Sequence, residues 1–243
     1  MTSADSLSPW HPLTRGVRRQ QTLFDRYIGE WIDQYATSGG TIHCGRGCQA
    51  CCTLAVNCTF TEALGVAETL TDLQTSRLRD HVARLRTVLP AAADLKSWLG
   101  LHRTVIGSCP FLVADGACGV YTVRPFSCRA LLSTKESRWC GADFSVLGSE
   151  EKRTFVESLD LTVVAFPMHY VRVTQELGQE LEALAAQRMR EQFGFSLYGN
   201  FPVLAHLERE HRLSTVFPAG REAVEQLLTR AGLNHPFLAT LDS

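Results

Sequence analysis

The chain has 243 residues and a formal net charge of −1, so it lacks the basic surface expected of a protein that binds nucleic acid or anionic membranes. Hydrophobic residues make up 45% and charged residues 20%, which is the balance of a globular protein. No stretch approaches the roughly 18 apolar residues of a membrane span, and residues 1–19 lack the apolar core of a secretory signal. We therefore expect a cytoplasmic protein with no nucleic-acid or membrane partner, and whether it has a protein partner is left open.

Aromatic and aliphatic residues recur at helical spacing ahead of the first cysteine. They predict a helix from about Val17 to Tyr35, ended by the Ser38-Gly39-Gly40 segment. The apolar stripe consists of Phe24, Tyr27, Ile28, Trp31, Ile32 and Tyr35.

Two capping boxes follow the first group of cysteines. Thr59 with Glu62 predicts the start of a short helix that reaches about Leu70. Thr71 with Gln74 predicts a second helix, which Pro90 ends. Its apolar face is made of Leu78, Val82, Leu85, Val88 and Leu89.

Helical periodicity is absent between Cys109 and Cys128. Asp115-Gly116 separates two apolar runs there and predicts a small hairpin or a tight loop.

The sequence after the last cysteine is helical again. One long helix carries Leu177, Leu181, Leu184 and Met189. A second helix spans Val203 to His211 with Asn200 as its cap, and a last helix with Val224, Leu227 and Leu228 stops at Gly232. The predicted fold is mainly α with a small β hairpin.

All nine cysteines lie between Cys44 and Cys140. In a reducing compartment such a cluster favours metal ligands over disulfides. The first group, Cys44-x3-Cys48-x2-Cys51-Cys52, is compact enough for thiolates of one loop to converge on a centre. The second group comprises Cys109, Cys118, Cys128 and Cys140. Zinc and a [4Fe–4S] cluster each take four thiolates, so eight cysteines can hold two sites, or one site plus structural thiols.

Several residues near these groups have predicted roles. Cys51 and Cys52 are neighbours whose side chains point apart, so they fit two centres or one larger cluster better than a single ion. Cys58 stands outside both groups and is predicted to be a buried apolar thiol. Arg124 and Arg129 either neutralise thiolate charge or form structural bonds, and the sequence leaves both readings open. Tyr121 is predicted to be a core residue beneath the site.

The residues between the later cysteines resemble a known family. Cys109-Pro110-Phe111-Leu112, Gly116-x-Cys118-Gly119-Val120-Tyr121 and Arg124-Pro125-Phe126-Ser127-Cys128-Arg129 are similar to the signature of the YkgJ-like cysteine-cluster family, also called the CxxCxxCC or zinc- or iron-chelating domain. The resemblance covers about Cys44 to Cys140. It implies metal ligation by Cys44, Cys48, Cys51, Cys52, Cys109, Cys118, Cys128 and Cys140.

These patterns predict a cysteine-rich metal-binding core wrapped by helices. Residues 1–43 are a helical extension, residues 44–140 the metal-binding domain and residues 141–243 a helical region packed on it.

The predicted cofactor is an iron–sulfur cluster or iron, with zinc as the alternative, and the predicted role is redox or accessory. Two further hypotheses are a modification enzyme similar to flagellin lysine N-methylases, which carry a similar cysteine cluster, and a structural zinc fold for protein interaction. Whether the protein is an enzyme is left open, and no catalytic residue is assigned.

Overall fold

A computed structural model describes residues 8–243, so residues 1–7 of the predicted N-terminal extension lie outside the described residues. The helices are α1 (Trp10–Thr37), α2 (Phe60–Ala67), α3 (Asp72–Val88), α4 (Leu95–Leu101), α5 (Phe126–Ala130), α6 (Ser137–Gly141), α7 (Ser149–Glu157), α8 (Arg172–Phe193), α9 (Phe201–His211), α10 (Leu213–Val216) and α11 (Arg221–Arg230). Short 3₁₀ helices lie at Ala50–Thr53, Leu89–Ala91, Tyr121–Val123 and Phe217–Ala219, and a π-helical turn at His102–Ile106. Strands β1 (Asn57–Thr59), β2 (Ser196–Asn200) and β3 (Ala239–Asp242) form an antiparallel sheet in the order β1-β2-β3. The prediction of a mainly α fold with a small β component is confirmed.

Helix α1 is longer than predicted because it begins at Trp10 instead of Val17. Pro12 lies in its first turn, where the backbone N–H groups have no intrahelical partner and a proline is tolerated. Trp10 is buried and packs edge-on against Phe60 and Phe217, with ring centroids 5.1 and 4.9 Å apart. The start of α1 therefore belongs to the main hydrophobic core.

Both predicted capping boxes are present. The Thr59 side chain accepts from the Glu62 N–H, and a Glu62 carboxylate oxygen accepts from the Thr59 N–H at 2.9 Å. Thr71 and Gln74 make the same reciprocal bonds at the start of α3. Every residue of α2 is buried, including Thr61 and Glu62, and α9 packs directly against it. The Asn200 cap of α9 is also confirmed, since its side chain accepts from the Val203 N–H.

The sheet lies outside the segment where a hairpin was predicted. Strand β2 is central and joins β1, from the cysteine-bearing part of the chain, to β3 near the C-terminus. A Cβ atom on Gly199 would lie 2.2 Å from the carbonyl oxygen of Leu238, so glycine is required where these backbones meet. Between Cys109 and Cys128 the chain forms a tight loop closed by one isolated bridge, Leu112 to Cys118, which was the other predicted alternative.

The sequence missed helices α4, α5, α6, α7 and α10. Each is shorter than three turns, so too few apolar positions repeat for a period to be read. Two of them matter for the site, because α5 carries Cys128 and α6 carries Cys140. Helix α8 packs against α5. None of the helices within residues 8–243 is long and apolar enough to cross a membrane.

Candidate metal centre

The first cysteine group lies on a tight double turn near the surface. The Cys48 N–H donates to the Gly45 carbonyl at 3.0 Å, and the Cys52 N–H donates to the Gln49 carbonyl at 2.9 Å. Cys51 and Cys52 sit on the 3₁₀ helix that follows the first turn. Cys44 is exposed, and the other three are partly buried. This local chain reversal gathers four thiols within nine residues, as the spacing predicted.

The second group is brought to the first by the backbone. The Cys109 N–H donates to the Cys52 carbonyl at 2.9 Å, and the Gly119 N–H donates to the Phe111 carbonyl at 2.8 Å. Gly47 and Gly116, with φ of +83° and +78°, face each other so closely that a Cβ on Gly116 would lie 3.2 Å from the Gly47 carbonyl oxygen. The loop of residues 109–119 therefore lies directly on the loop of residues 44–52.

Cys140 reaches the same region from α6. This helix packs on the 3₁₀ helix of Ala50–Thr53, and Cys140 is buried. On the same side, the sulfur of Cys44 accepts a hydrogen bond of 3.1 Å from the Ser133 N–H. Ser133 also influences Cys140, since a hydrogen bond from its side chain lowers the pKa of that thiol against the larger effect of burial.

The effects of the thiols on one another's pKa values indicate which of them lie close together. Burial raises the pKa of Cys109 to about 12, and Cys118 and Cys51 add to the rise. Burial also raises the pKa of Cys128, with further contributions from Cys109, Cys118 and Cys51. The pKa of Cys118 is raised by burial and, more weakly, by Cys51. These three thiols form one group, called here the loop group: Cys109, Cys118 and Cys128.

A second set of thiols is linked in the same way. Burial of its sulfur raises the pKa of Cys44 to about 11, the Ser133 N–H opposes the rise, and Cys51, Cys140 and Cys48 add to it. The pKa of Cys140 is raised by burial and then by Cys51 and Cys48. We call Cys44, Cys48 and Cys140 the rim group. Cys51 acts on both groups, and its own pKa is raised first by a hydrogen bond with the Cys52 side chain and then by burial. The prediction that these two neighbouring side chains point apart is therefore wrong.

The donor set fits zinc or iron chemistry, since it consists of thiols without an interleaved carboxylate ligand. Within residues 8–243, no three His, Cys, Asp or Glu side chains are already arranged as a ligand set for a metal ion. The eight sequence-predicted cysteines thus share one region, and their side chains have to turn toward a common centre to bind metal. Their assignment as ligands stays a prediction.

Cys58 is separate from this set. It lies on β1 with no exposed surface, and its raised pKa is due first to burial and then to Glu62 and Glu182. The prediction of a buried thiol is confirmed.

The two arginines of the signature have different surroundings. Arg129 is fully buried, pairs with Asp25, and donates to the carbonyl oxygens of Arg124 (2.9 Å) and Thr122 (2.7 Å). It therefore has a structural role, although its charge also lowers the pKa of Cys118, by less than the charge of Arg124 does.

Arg124 faces the thiols: its charge lowers the pKa of Cys51, Cys118 and Cys128 against the larger effects that raise them. Its guanidinium stacks 3.8 Å from the ring centroid of Tyr121. The prediction that Tyr121 is a core residue is wrong, because 55% of this residue is exposed. Its apolar ring is instead covered on one face by the cation of Arg124.

One residue beside the cysteines was missed. The Nε2 atom of His169 lies 3.3 Å from the Cys140 sulfur, and both residues are buried. Burial lowers the pKa of His169 to about 4, and Lys135 lowers it slightly further. The sequence carries no signal for this contact, since His169 has no ligand spacing to any cysteine.

The fold and the site define a small helical protein whose centre is a cysteine cluster of the metal-chelating class. Residues 43–145 match the family model CxxCxxCC, described as a "Putative zinc- or iron-chelating domain", so this segment of the chain is similar to that family. The match agrees closely with the predicted range of about Cys44 to Cys140. No curated protein and no solved structure matches the chain.

Proposed function

We propose that the cysteine domain holds iron as an iron–sulfur cluster and that the protein has a redox or accessory role in the cytoplasm. The observation that carries this proposal is the joining of the cysteine segments: the Cys109 N–H donates to the Cys52 carbonyl at 2.9 Å, and α6, which carries Cys140, packs on the 3₁₀ helix that carries Cys52. Two isolated mononuclear ions would each need a separate set of four ligands. Thiols that line one continuous region are better suited to a polynuclear centre.

The residues around the thiols also support a centre of negative charge. The Ser133 N–H points at the Cys44 sulfur, and Arg124 is placed to stabilise thiolates at Cys51, Cys118 and Cys128. Hydrogen bonds and charges of this kind set the reduction potential of a cluster. When bound, such a cluster supplies one-electron chemistry.

The test is purification without oxygen, followed by measurement of absorbance, iron and acid-labile sulfide. We expect brown protein that absorbs near about 400 nm and contains iron and sulfide. Cys48→Ser should lose the colour, whereas Cys58→Ala, which changes a thiol outside the site, should keep it. If the purified protein is colourless and contains zinc, the proposal of an iron–sulfur cluster is wrong and the site is a zinc centre with a structural role.

A further inference from the structure

The contact between Cys140 and His169 lies at the edge of the rim group and involves a residue outside the family match. Cys140 is within residues 43–145, and His169 follows that segment. The separation of 3.3 Å joins the sulfur to Nε2, the nitrogen at the tip of the imidazole ring. The ring is therefore presented to the thiol by the atom that a metal ligand would use.

This separation is close to what a shared metal ion requires. Two ligands of a tetrahedral zinc ion, with bonds of about 2.3 Å to sulfur and about 2.0 Å to nitrogen, lie about 3.5 Å apart. The pair would need to move by only a few tenths of an ångström. Because both residues are buried, water competes little for either atom.

The backbone around His169 is connected to the Cys44 loop through residues 133–134. The His43 N–H donates to the Ser133 carbonyl at 2.9 Å, and the Ser133 N–H donates to the Cys44 sulfur. Ser133 is bridged on its other side to Tyr170. Residues 43–44, 133–134 and 169–170 therefore run side by side, with Cys44 and His169 on opposite flanks of one segment.

The orientation of His169 is fixed by its neighbours. Its carbonyl oxygen accepts from both the N–H (3.1 Å) and the hydroxyl (3.0 Å) of Thr134. Its ring packs against Tyr170 at a centroid distance of 4.3 Å and edge-on against Phe155 at 5.7 Å. A ligand held in this way loses little conformational freedom on binding.

We propose that His169 is a metal ligand of the cysteine centre on the side of Cys140, in addition to the thiolates. Imidazole nitrogen is an established ligand both of zinc and of iron in iron–sulfur clusters. The assignment rests on the proposed metal site and deepens it, because it adds a ligand from beyond the cysteine domain.

The experiment uses the full-length protein and Co²⁺ as the probe, since Co²⁺ replaces zinc in thiolate sites and its absorption reports the ligands. The variants are His169→Gln and His169→Cys. The matched control is His81→Gln, since His81 is equally buried and neither of its ring nitrogens has a hydrogen-bond partner within residues 8–243. Circular dichroism of each protein checks that it is folded.

We expect His169→Gln to weaken Co²⁺ binding by about tenfold or more and to shift the ligand-field bands, while His81→Gln leaves both unchanged. His169→Cys should restore tight binding and increase the sulfur-to-cobalt charge-transfer absorption. If His169→Gln fails to fold, the cobalt spectrum of His169→Cys decides. The spectrum changes if residue 169 is a ligand, because a thiolate has replaced the imidazole, and it stays the same if His169 has only a structural role.

Identical cobalt spectra and affinities for wild type and His169→Cys would overturn the assignment while leaving the cysteine site intact. Wild-type protein that takes up neither Co²⁺ nor iron would instead overturn the proposed metal centre itself. The two failures are therefore told apart by the wild-type measurement.

Discussion

The backbone N–H of Cys109 donates a hydrogen bond of 2.9 Å to the carbonyl oxygen of Cys52. This bond fastens the loop that carries Cys109 and Cys118 to the 3₁₀ helix that carries Cys51 and Cys52. The ion pair between Arg46 and Asp115 at 3.3 Å is exposed and adds little to it. The two cysteine loops are thus held together by few contacts of their own.

We predict that metal ligation supplies part of the free energy of folding of this region. A Cys48→Ser/Cys109→Ser double variant should melt at a clearly lower temperature than the wild type when both are purified in the metal-loaded form. Cys58→Ala should cost about 1 kcal/mol, because it leaves a small cavity in a buried strand. Equal melting temperatures for the wild type and the double variant would show that the loops are ordered without metal.

The two arginines should give opposite results when each is replaced by methionine. Arg129→Met leaves two partly buried carbonyl oxygens and the half-exposed Asp25 without their donor, so we expect a loss of about 1–3 kcal/mol in urea denaturation. Arg124→Met should change stability much less and should weaken metal binding, because its charge acts on Cys51, Cys118 and Cys128. Metal binding that is unaffected by Arg124→Met would contradict this division.

Glu182 should make stability depend on pH. This residue is buried, and its carboxylate oxygens accept hydrogen bonds from the Ser127 N–H (3.2 Å) and the Tyr198 hydroxyl (3.3 Å). Burial, and to a smaller extent the charge of Glu62, raises the pKa of Glu182 to about 8. Between its ordinary pKa of 4.5 and this value, the folded protein holds a proton that the unfolded chain releases. The free energy of unfolding should therefore fall as pH rises through this window, by at most about 1.4 kcal/mol per pH unit.

Glu182→Gln should reduce this dependence, since the amide is neutral at every pH, while burial of Glu62, whose pKa is also raised, leaves a remainder. The measurement is urea denaturation at several pH values between 5 and about 9, with Glu180→Gln as the control, because Glu180 is exposed on the same helix. If wild type and Glu182→Gln lose stability in parallel as pH rises, the carboxyl of Glu182 is not the group responsible.

Residues 145–243 expressed alone should not fold cooperatively. This fragment lacks β1, which pairs with the central strand β2, and α2, which covers α9. Val203, Leu204 and Leu207 of α9 are completely buried in the whole chain and would be exposed to water in the fragment. Thermal circular dichroism of the fragment is the measurement, and a cooperative melt that matches the full-length protein would show two separate domains.

The sequence by itself determined the features that depend on neighbouring residues. The capping boxes at Thr59 and Thr71 could be predicted because a cap residue and its partner lie three residues apart in the sequence. The cysteine loop of residues 44–52 could be predicted because the short spacings between its cysteines require the chain to turn. The burial of Cys58 followed from its position outside both groups.

Tertiary structure alone decided what lies beside what over long sequence separations. Strand β1 has the mixed sequence Asn57-Cys58-Thr59, and it is a strand because β2 lies next to it. Arg124 and Arg129 look equivalent in the sequence, but one meets Asp25 and the other faces the thiols. The contact of His169 with Cys140 depends on the packing of α6 and on the bridge between Ser133 and Tyr170, and neither leaves a periodic pattern in the chain.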